Sequence, residues 1–143
     1  MKPIRLTKAN AIIRTAFAKG AEMELKPLAV AVLDAGGHLK AFQAQDNTTI
    51  LRPQVAHGKA YGALAMGMGS RAINKAADER PNFVHALNAL AGGALVPVPG
   101  GVLIRSKAGD IIGAVGVTGD TSDNDEACAV AGIEAAGFVA DTG

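Results

Sequence analysis

The sequence contains little cysteine, few aromatic residues and almost no excess charge. Its 143 residues include one cysteine, no tryptophan and only 3% aromatic residues. A single thiol cannot form an internal disulfide, and the Cys and His spacing typical of structural zinc is missing from the sequence. A chain of this length buries enough surface to fold without a disulfide or a structural metal. We therefore expect a single domain over residues 1–143.

Charge and hydropathy argue against two classes of partner. The formal net charge is +1, and the sequence has no run of basic residues, so we expect neither nucleic acid nor an anionic membrane surface as a partner. No stretch of about 18 apolar residues is free of charge, which excludes a predicted transmembrane helix. The first residues lack the continuous apolar segment of a secretory signal. We expect a cytoplasmic protein.

Hydrophobic periodicity predicts an α+β protein. Apolar residues at helical spacing predict five helices, over residues 7–24, 50–68, 71–79, 83–91 and about 123–139. Short apolar runs bounded by glycine and proline predict five strands, over residues 28–34, 39–45, 94–98, 100–106 and 110–119. The first two strands flank a glycine-containing hairpin turn. Hairpin links rather than βαβ alternation indicate an antiparallel sheet with helices packed on it.

The segment after the last predicted strand is unusually acidic. Four of the thirteen acidic residues, Asp120, Asp123, Asp125 and Glu126, lie within seven positions. Asp123 and Glu126 have capping-box spacing, and Asp125 adds a carboxylate to the first helical turn, where the helix dipole favours it. A calcium loop is disfavoured because its sixth position, counted from Asp123, is Cys128 rather than glycine.

The same segment also has features that a helix cap does not require. Gly119 and the hydroxyl of Thr118 stand at the strand end, and free backbone N–H groups at a helix start often hold anions. Four nearby carboxylates would repel a bare anion, so the charge of any ligand here stays open. Crowded carboxylates raise one another's pKa, which would suit a general acid or base at neutral pH.

The helix predicted over residues 50–68 carries a second candidate site. His57, Tyr61, Leu64 and Met68 share one helical face and could contact a flat ligand, with His57 as an iron ligand of haem. The alternatives are a partly buried core histidine or a subunit contact. Lys59 points about 200° away from His57, so the two can face one ligand only if a second subunit contributes one of them.

Other candidates are less specific. Arg52 and Arg71 flank the same helix, and either could bind a carboxylate. Thr7, Ser70 and Asn82 are the expected caps of three helices. His38 and His85 are expected to be exposed, and Cys128 to be a buried structural thiol.

Several motifs give the chain a resemblance to a known family. They are VLDAGGHL at 32–39, GKA at 58–60, PGGV at 99–102 and IGAVGVTG at 112–119, followed by Asp125, Glu126 and Ala129. In this order they resemble the GlcG/HbpS family, which includes the GlcG protein of glycolate operons, haem-binding HbpS and the C-terminal domain of PduO-type cobalamin adenosyltransferases. The motifs span nearly the whole chain.

The resemblance implies an α/β sandwich with a profilin-like five-stranded antiparallel sheet. Its strand order would be 2-1-5-4-3, and subunits would form dimers that build rings or octamers. Some members bind haem, and others belong to catabolic operons. Together with the residue patterns, this suggests a ligand site with His57 as the iron ligand. Its other candidate residues are Arg52, Tyr61, Met68, Gly100, Gly101, Thr118 and Gly119.

Two main functions follow as hypotheses. The first is a small-molecule-binding protein, with haem or a related tetrapyrrole as the ligand. The alternative is a cofactor-independent enzyme, a hydrolase, lyase, deaminase or tautomerase, acting on a small anionic catabolite. Its candidate catalytic residues are Asp120, Asp123, Asp125, Glu126 and Lys59. A third reading is an assembly module without any ligand.

Overall fold

A computed structural model describes residues 3–143 and contains five helices and five strands. In chain order these are α1 (Leu6–Glu22), β1 (Ala29–Asp34), β2 (Leu39–Ala44), α2 (Arg52–Met66), α3 (Ser70–Glu79), α4 (Pro81–Leu90), β3 (Gly101–Arg105), β4 (Ile111–Thr118), α5 (Ser122–Ala135) and β5 (Val139–Asp141). The five predicted helices are thus confirmed in place. None of the helices described in residues 3–143 is long and apolar enough to cross a membrane.

All five strands form one antiparallel sheet in the order β2-β1-β4-β3-β5. The antiparallel α+β architecture is confirmed, but the predicted order 2-1-5-4-3 is wrong at one edge. Residues 94–98, expected as the third strand, are not a strand, and β5 occupies the edge beside β3. The other four predicted strands keep their expected neighbours.

Two sequence features account for this difference. Pro97 interrupts the 94–98 segment and Pro99 follows it directly, and proline has no N–H to donate to a strand neighbour. At the other end, α5 stops at Ala135, and Gly137 follows with a φ of 90°. A left-handed glycine just after a helix ends it, which frees Phe138 onward to extend along β3.

The sheet is covered on both faces because the side chains of its central strands are apolar in both directions. The face of β1 that carries Val30 and Val32 packs under α1 and α5, with Ile12 and Ile133 in the same cluster. The opposite face of the sheet, which includes Leu33, packs under α2. This layering places the last helix and the second helix on opposite sides of β4.

Helix α2 lies unusually close to the sheet backbone. Its buried face carries alanines, and the strands below it carry glycines where the helix passes over. A Cβ atom on Gly116 would overlap the carbonyl of Ala56, and one on Gly101 would overlap the carbonyl of Lys59. The small side chains of this sequence therefore bring two backbones together, which fixes the height of α2 above β3 and β4.

The helix caps differ from those expected. Thr7 lies inside α1, Ser70 is the first residue of α3, and Asn82 lies inside α4, which begins at Pro81. Helix α5 begins after Thr121, whose hydroxyl accepts a hydrogen bond from the backbone N–H of Asn124 at 3.3 Å. The predicted capping box of Asp123 and Glu126 is therefore wrong, because Asp123 lies within the helix and Thr121 is its cap.

We expect Thr121→Ala to lower the free energy of unfolding by about 0.5–2 kcal/mol, as the loss of a side-chain cap does elsewhere. The urea midpoint measures this loss. Ser122→Ala, one position further along, is the matched control and is expected to change stability by less than about 0.5 kcal/mol. Equal losses in the two variants would contradict the assignment of Thr121 as the cap.

Candidate functional site

A cavity of about 720 Å³ opens between the β1–β2 hairpin, the start of α2 and the α4–β3 connection. Much of its wall is apolar and comes from three separate segments, with Leu39, Phe42, Leu51, Val55, Ala94 and Val96 among the lining residues. Among residues 3–143, His57 is the one ionisable side chain that lines it. The cavity therefore combines apolar walls with a single imidazole, a pattern typical of small-molecule sites.

The residues predicted to form one ligand face on α2 have different surroundings in the structure. The rings of His57 and Tyr61 are nearly parallel, with centroids 6.0 Å apart and planes inclined by 14°. Tyr61 and Leu64 pack against the sheet beside Leu33, rather than lining the cavity. Met68 lies beyond the end of α2, because Gly67 ends the helix with a φ of 69°. Of the four residues on that face, only His57 lines this cavity among the described residues.

Lys59 lies on the other side of α2, as its position in the helix predicted, and is only 2% exposed. Its Nζ atom donates to the carbonyl of Val117 at 2.9 Å and to Oδ2 of Asp125 at 3.2 Å. Asp125 is 1% exposed, and its Oδ1 accepts from the backbone N–H of Asp120 at 2.9 Å. The pair thus joins α2, β4 and α5 in the interior of the protein.

Burial is the largest cause of the pKa shifts of Lys59 and Asp125. It lowers the pKa of Lys59 and raises the pKa of Asp125, because each charged form loses solvent. The opposite charge of the partner acts in the other direction on both groups. A buried pair of this kind is costly to break, since one partner alone leaves an uncompensated charge.

The remaining acidic side chains contact nearby groups of the same end of the fold. The guanidinium of Arg71 donates to two carboxylates of α5, with Nε 3.0 Å from Oε2 of Glu126 and a second contact to Asp123. These bonds raise the pKa of Arg71 above its usual value. Arg71 therefore binds carboxylates of this chain, on α5, and ties α3 to that helix.

Asp120 is held in a different way. Its carboxylate accepts from the side chain of Asn124 at 2.8 Å and from the backbone N–H groups of Thr121 and Lys26 at 2.8 and 3.0 Å. The bond from Asn124, followed by those from Lys26 and Thr121, lowers the pKa of Asp120 to about 2. The expectation that crowding raises carboxylate pKa values is therefore wrong for Asp120. For Asp125 the main cause of the rise is burial.

The other predicted ligand residues lie at the same end of the sheet, away from the His57 cavity. Arg52 donates from Nη1 to the hydroxyl of Thr118 at 2.7 Å, and Thr118 is fully buried. Gly101 donates its N–H to the hydroxyl of Ser70 at 2.7 Å. Gly100 lies against the Lys59 side chain, and Gly119 against the backbone of Pro27. These residues pack the fold together around α2.

The acidic segment does not form a metal site in the described residues. No group of three or more His, Cys, Asp or Glu side chains within residues 3–143 is arranged to hold a metal ion. Cys128 is buried as predicted, and burial raises the pKa of its thiol to about 11.

Several cavity residues were missed by sequence reasoning. Leu39 and Phe42 were assigned to a hairpin strand, and Ala94 and Val96 to a strand that is not formed. The pair Gly92 and Gly93, which also lines the cavity, interrupts the apolar pattern after α4 and was the available signal for a loop at this point.

The family of the chain follows from comparison with known proteins. A family model described as "Haem degrading protein HbpS-like" matches residues 4–134. The chain belongs to the HbpS-like family. This confirms the resemblance inferred from the motifs.

This HbpS-like protein is also similar to individual proteins. It is 28% identical over 131 residues to an uncharacterized 15.0 kDa protein in the dhaT-dhaS intergenic region of Citrobacter freundii, covering 92% of this chain and 90% of that one. Two crystal structures share the fold. A PduOC:haem complex has a TM-score of 0.85 at 20% identity, covering 96% of this chain and 97% of that one. Klebsiella pneumoniae ORFY has a TM-score of 0.86 at 23% identity, covering 95% and 92%.

We expect Lys59→Met to lower the free energy of unfolding by about 3–5 kcal/mol, because it leaves the Asp125 carboxylate buried without a cation. The double variant Lys59→Met/Asp125→Asn removes both charges and keeps an oxygen for the Asp120 N–H. Its loss is expected to be smaller than the sum of the two single losses. Chemical denaturation measures all of them.

Lys75→Met is the control for that cycle. The Lys75 side chain is 77% exposed and 4.0 Å from Glu79, so its loss is expected to change stability by less than about 1 kcal/mol. If Lys59→Met were as mild as Lys75→Met, the buried pair would not hold the fold together as described.

Asp120→Asn is expected to reduce stability in an acid-dependent way. The folded pKa of about 2 lies below the usual value of 3.8, so the ionised carboxylate stabilises the folded state at higher pH. This contribution is lost as pH falls from about 4 to about 2. The difference in urea midpoint between wild type and variant is therefore expected to shrink over that range. A difference that stays constant with pH, or that matches exposed Asp78→Asn, would contradict this role.

Proposed function

We propose that this HbpS-like protein binds a small molecule, haem or a related tetrapyrrole, in the His57 cavity. The observation that carries the proposal is the combination of an apolar wall with one imidazole. A volume of about 720 Å³ lies within the range of small-molecule sites, which is about 300–1,000 Å³.

The residues present fit this group. His57 would supply the iron ligand, since imidazole is the usual proximal ligand in several haem protein classes. Leu39, Phe42, Val55 and Val96 would cover the apolar macrocycle, and burial of apolar surface contributes about 25 cal/mol per Å². Bound haem would supply an iron centre for ligand or redox chemistry.

The charge of the cavity bears on how such a ligand is held. Apart from His57, the lining residues within the described part of the chain carry no ionisable group. The nearby cations are engaged elsewhere, Arg52 with Thr118 and Lys59 with Asp125. We therefore expect binding to depend on apolar contact and iron ligation rather than on ion pairs with carboxylates of the ligand.

The comparisons support the proposal without deciding it. The family description refers to haem degradation, and one structure of the same fold is a complex with haem. These statements concern the relatives. The assembly into dimers and larger oligomers, and the cytoplasmic location, stay predictions.

The arrangement of the acidic segment does not favour the alternative, a cofactor-independent enzyme. Asp125 is paired with Lys59, Asp123 and Glu126 with Arg71, and Asp120 with backbone and amide donors. A general base needs a free lone pair within reach of its substrate. Enzymatic activity on an anionic catabolite stays a hypothesis without a supporting contact in the described residues.

Titration with hemin tests the proposed function. We expect purified protein to shift the Soret band of hemin with saturation near one hemin per chain, and His57→Ala to abolish that shift because the iron ligand is lost. His38→Ala is the matched control, because His38 is 81% exposed and pairs with Asp34 in the β1–β2 turn. The ligand-free far-UV spectrum checks that each variant is folded.

Two outcomes would contradict the proposal. An unshifted spectrum of the wild-type protein at stoichiometric hemin would exclude haem binding. A shift that survives His57→Ala but disappears with His38→Ala would place the iron outside this cavity.

A further inference from the structure

One wall of the His57 cavity is formed by the connection between α4 and β3. Residues 92–96, here called the strap, contribute Gly92, Gly93, Ala94 and Val96 to the lining. Leu95 within the strap is 4% exposed and is not among the residues that line the cavity. Its backbone N–H donates to Oδ1 of Asn88 at 2.9 Å. The strap is thus anchored by a buried side chain and by a hydrogen bond to α4.

The strap lies against α2 at the residue that follows His57. The N–H of Val96 donates to the carbonyl of Gly58 at 3.4 Å. A Cβ atom on Gly58 would lie 2.5 Å from Cγ2 of Val96 and 3.1 Å from the carbonyl oxygen of Ala94. A real Cβ does not approach another atom to 2.5 Å, and 3.1 Å is a tight contact, so Val96 and the strap backbone around Ala94 would have to give way. Because Gly58 has no side chain, the strap can pack directly on α2 at this residue.

We propose that Gly58 determines the shape of the cavity, and with it the affinity for the ligand, by allowing the strap to lie directly on α2 beside the imidazole. Gly58, Ala94 and Val96 all line the cavity next to His57, so a displaced strap changes the shape of the site where the ligand meets its iron ligand. The part of the proposal that concerns ligand binding rests on the proposed function. The part that concerns the position of the strap does not.

The same helix offers a matched control. Gly62, one turn further along α2, also lies beneath the strap, but a Cβ there would be 3.5 Å from Cδ2 of Leu95 and 3.7 Å from Cδ1 of Ile73. These are ordinary van der Waals distances. Alanine at either position gives the helix the same gain in intrinsic propensity. The two variants therefore differ in their effect on the strap.

The experiment compares Gly58→Ala, Gly62→Ala, Val96→Ala and the double variant Gly58→Ala/Val96→Ala. Amide hydrogen exchange of Leu95 and Val96 in the ligand-free protein reports the position of the strap without any ligand. Hemin titration reports the site. We expect Gly58→Ala to speed exchange at both amides and to weaken hemin binding by about tenfold or more, because overpacking forces a wall of the site to move.

The control and the double variant test whether contact between position 58 and Val96 causes these effects. Gly62→Ala is expected to leave both readouts within about twofold of wild type. Val96→Ala removes the Cγ2 atom that meets position 58, so adding it to Gly58→Ala is expected to restore slow exchange and most of the binding. If Gly58→Ala alone fails to fold, a folded double variant supports the proposal and an unfolded one overturns it.

Three results would overturn the proposal. They are unchanged exchange in Gly58→Ala, equal effects of the two glycine substitutions, and failure of Val96→Ala to compensate. Wild-type protein that does not bind hemin would refute the proposed function alone, and the exchange data would still show whether Gly58 positions the strap.

Discussion

The close approach of α2 to the sheet is the constraint on which the other features depend. Because Gly101 and Gly116 place no side chain beneath the helix, its backbone rests on β3 and β4. A helix at this height has little room for a long side chain underneath. Lys59 therefore extends along the end of β4, where it meets the Val117 carbonyl and Asp125. His57, two residues earlier, is turned towards β1, β2 and the strap and lines the cavity.

The acidic segment illustrates how one stretch of sequence can have several structural roles. Thr121 caps α5, Asp120 closes the turn before it, and Asp125 reaches into the interior. The cationic partners of Asp123, Asp125 and Glu126 lie more than 50 positions away in sequence, on α2 and α3. A cluster of carboxylates in the sequence therefore does not indicate whether each carboxylate has a cationic partner in the folded protein.

Local patterns predicted what depends on neighbours in sequence. The β1–β2 hairpin and the five helices follow from apolar periodicity and turn residues, and all are present. The edge strand β5 has only three residues, which is too short for a period to be read, and the predicted last helix ran to its first residue, Val139. The 94–98 segment has strand-like composition, but its backbone contacts α2 at Gly58 instead. Contacts between segments distant in sequence, rather than local sequence, therefore determine which apolar segment pairs with the sheet edge.

The candidate site was predictable only in part. The opposite directions of His57 and Lys59 follow from helical geometry, and the structure has them on opposite sides of α2. The walls of the cavity come from β2, α2 and the strap, and no local pattern indicates that such segments meet. Several residues of the family motifs have structural roles in this fold. Gly58 and Gly101 admit backbone contacts, and Lys59 and Asp125 form the buried pair.

The pairing of β1 with β4 also constrains the order in which the chain can fold. Ala29 is aligned with Thr118 and Asp34 with Gly113, so the two central strands are separated by some 80 positions of sequence. Contacts between such distant segments are slow to form, since a long loop must close first. While the polypeptide is being synthesised, β1 can pair only with β2; its other edge is unpaired until β4 is made, and its Val30 and Val32 face is not fully covered until α5 follows. Strand β1, buried on both faces in the finished sheet, is therefore a segment exposed to wrong association before synthesis is complete.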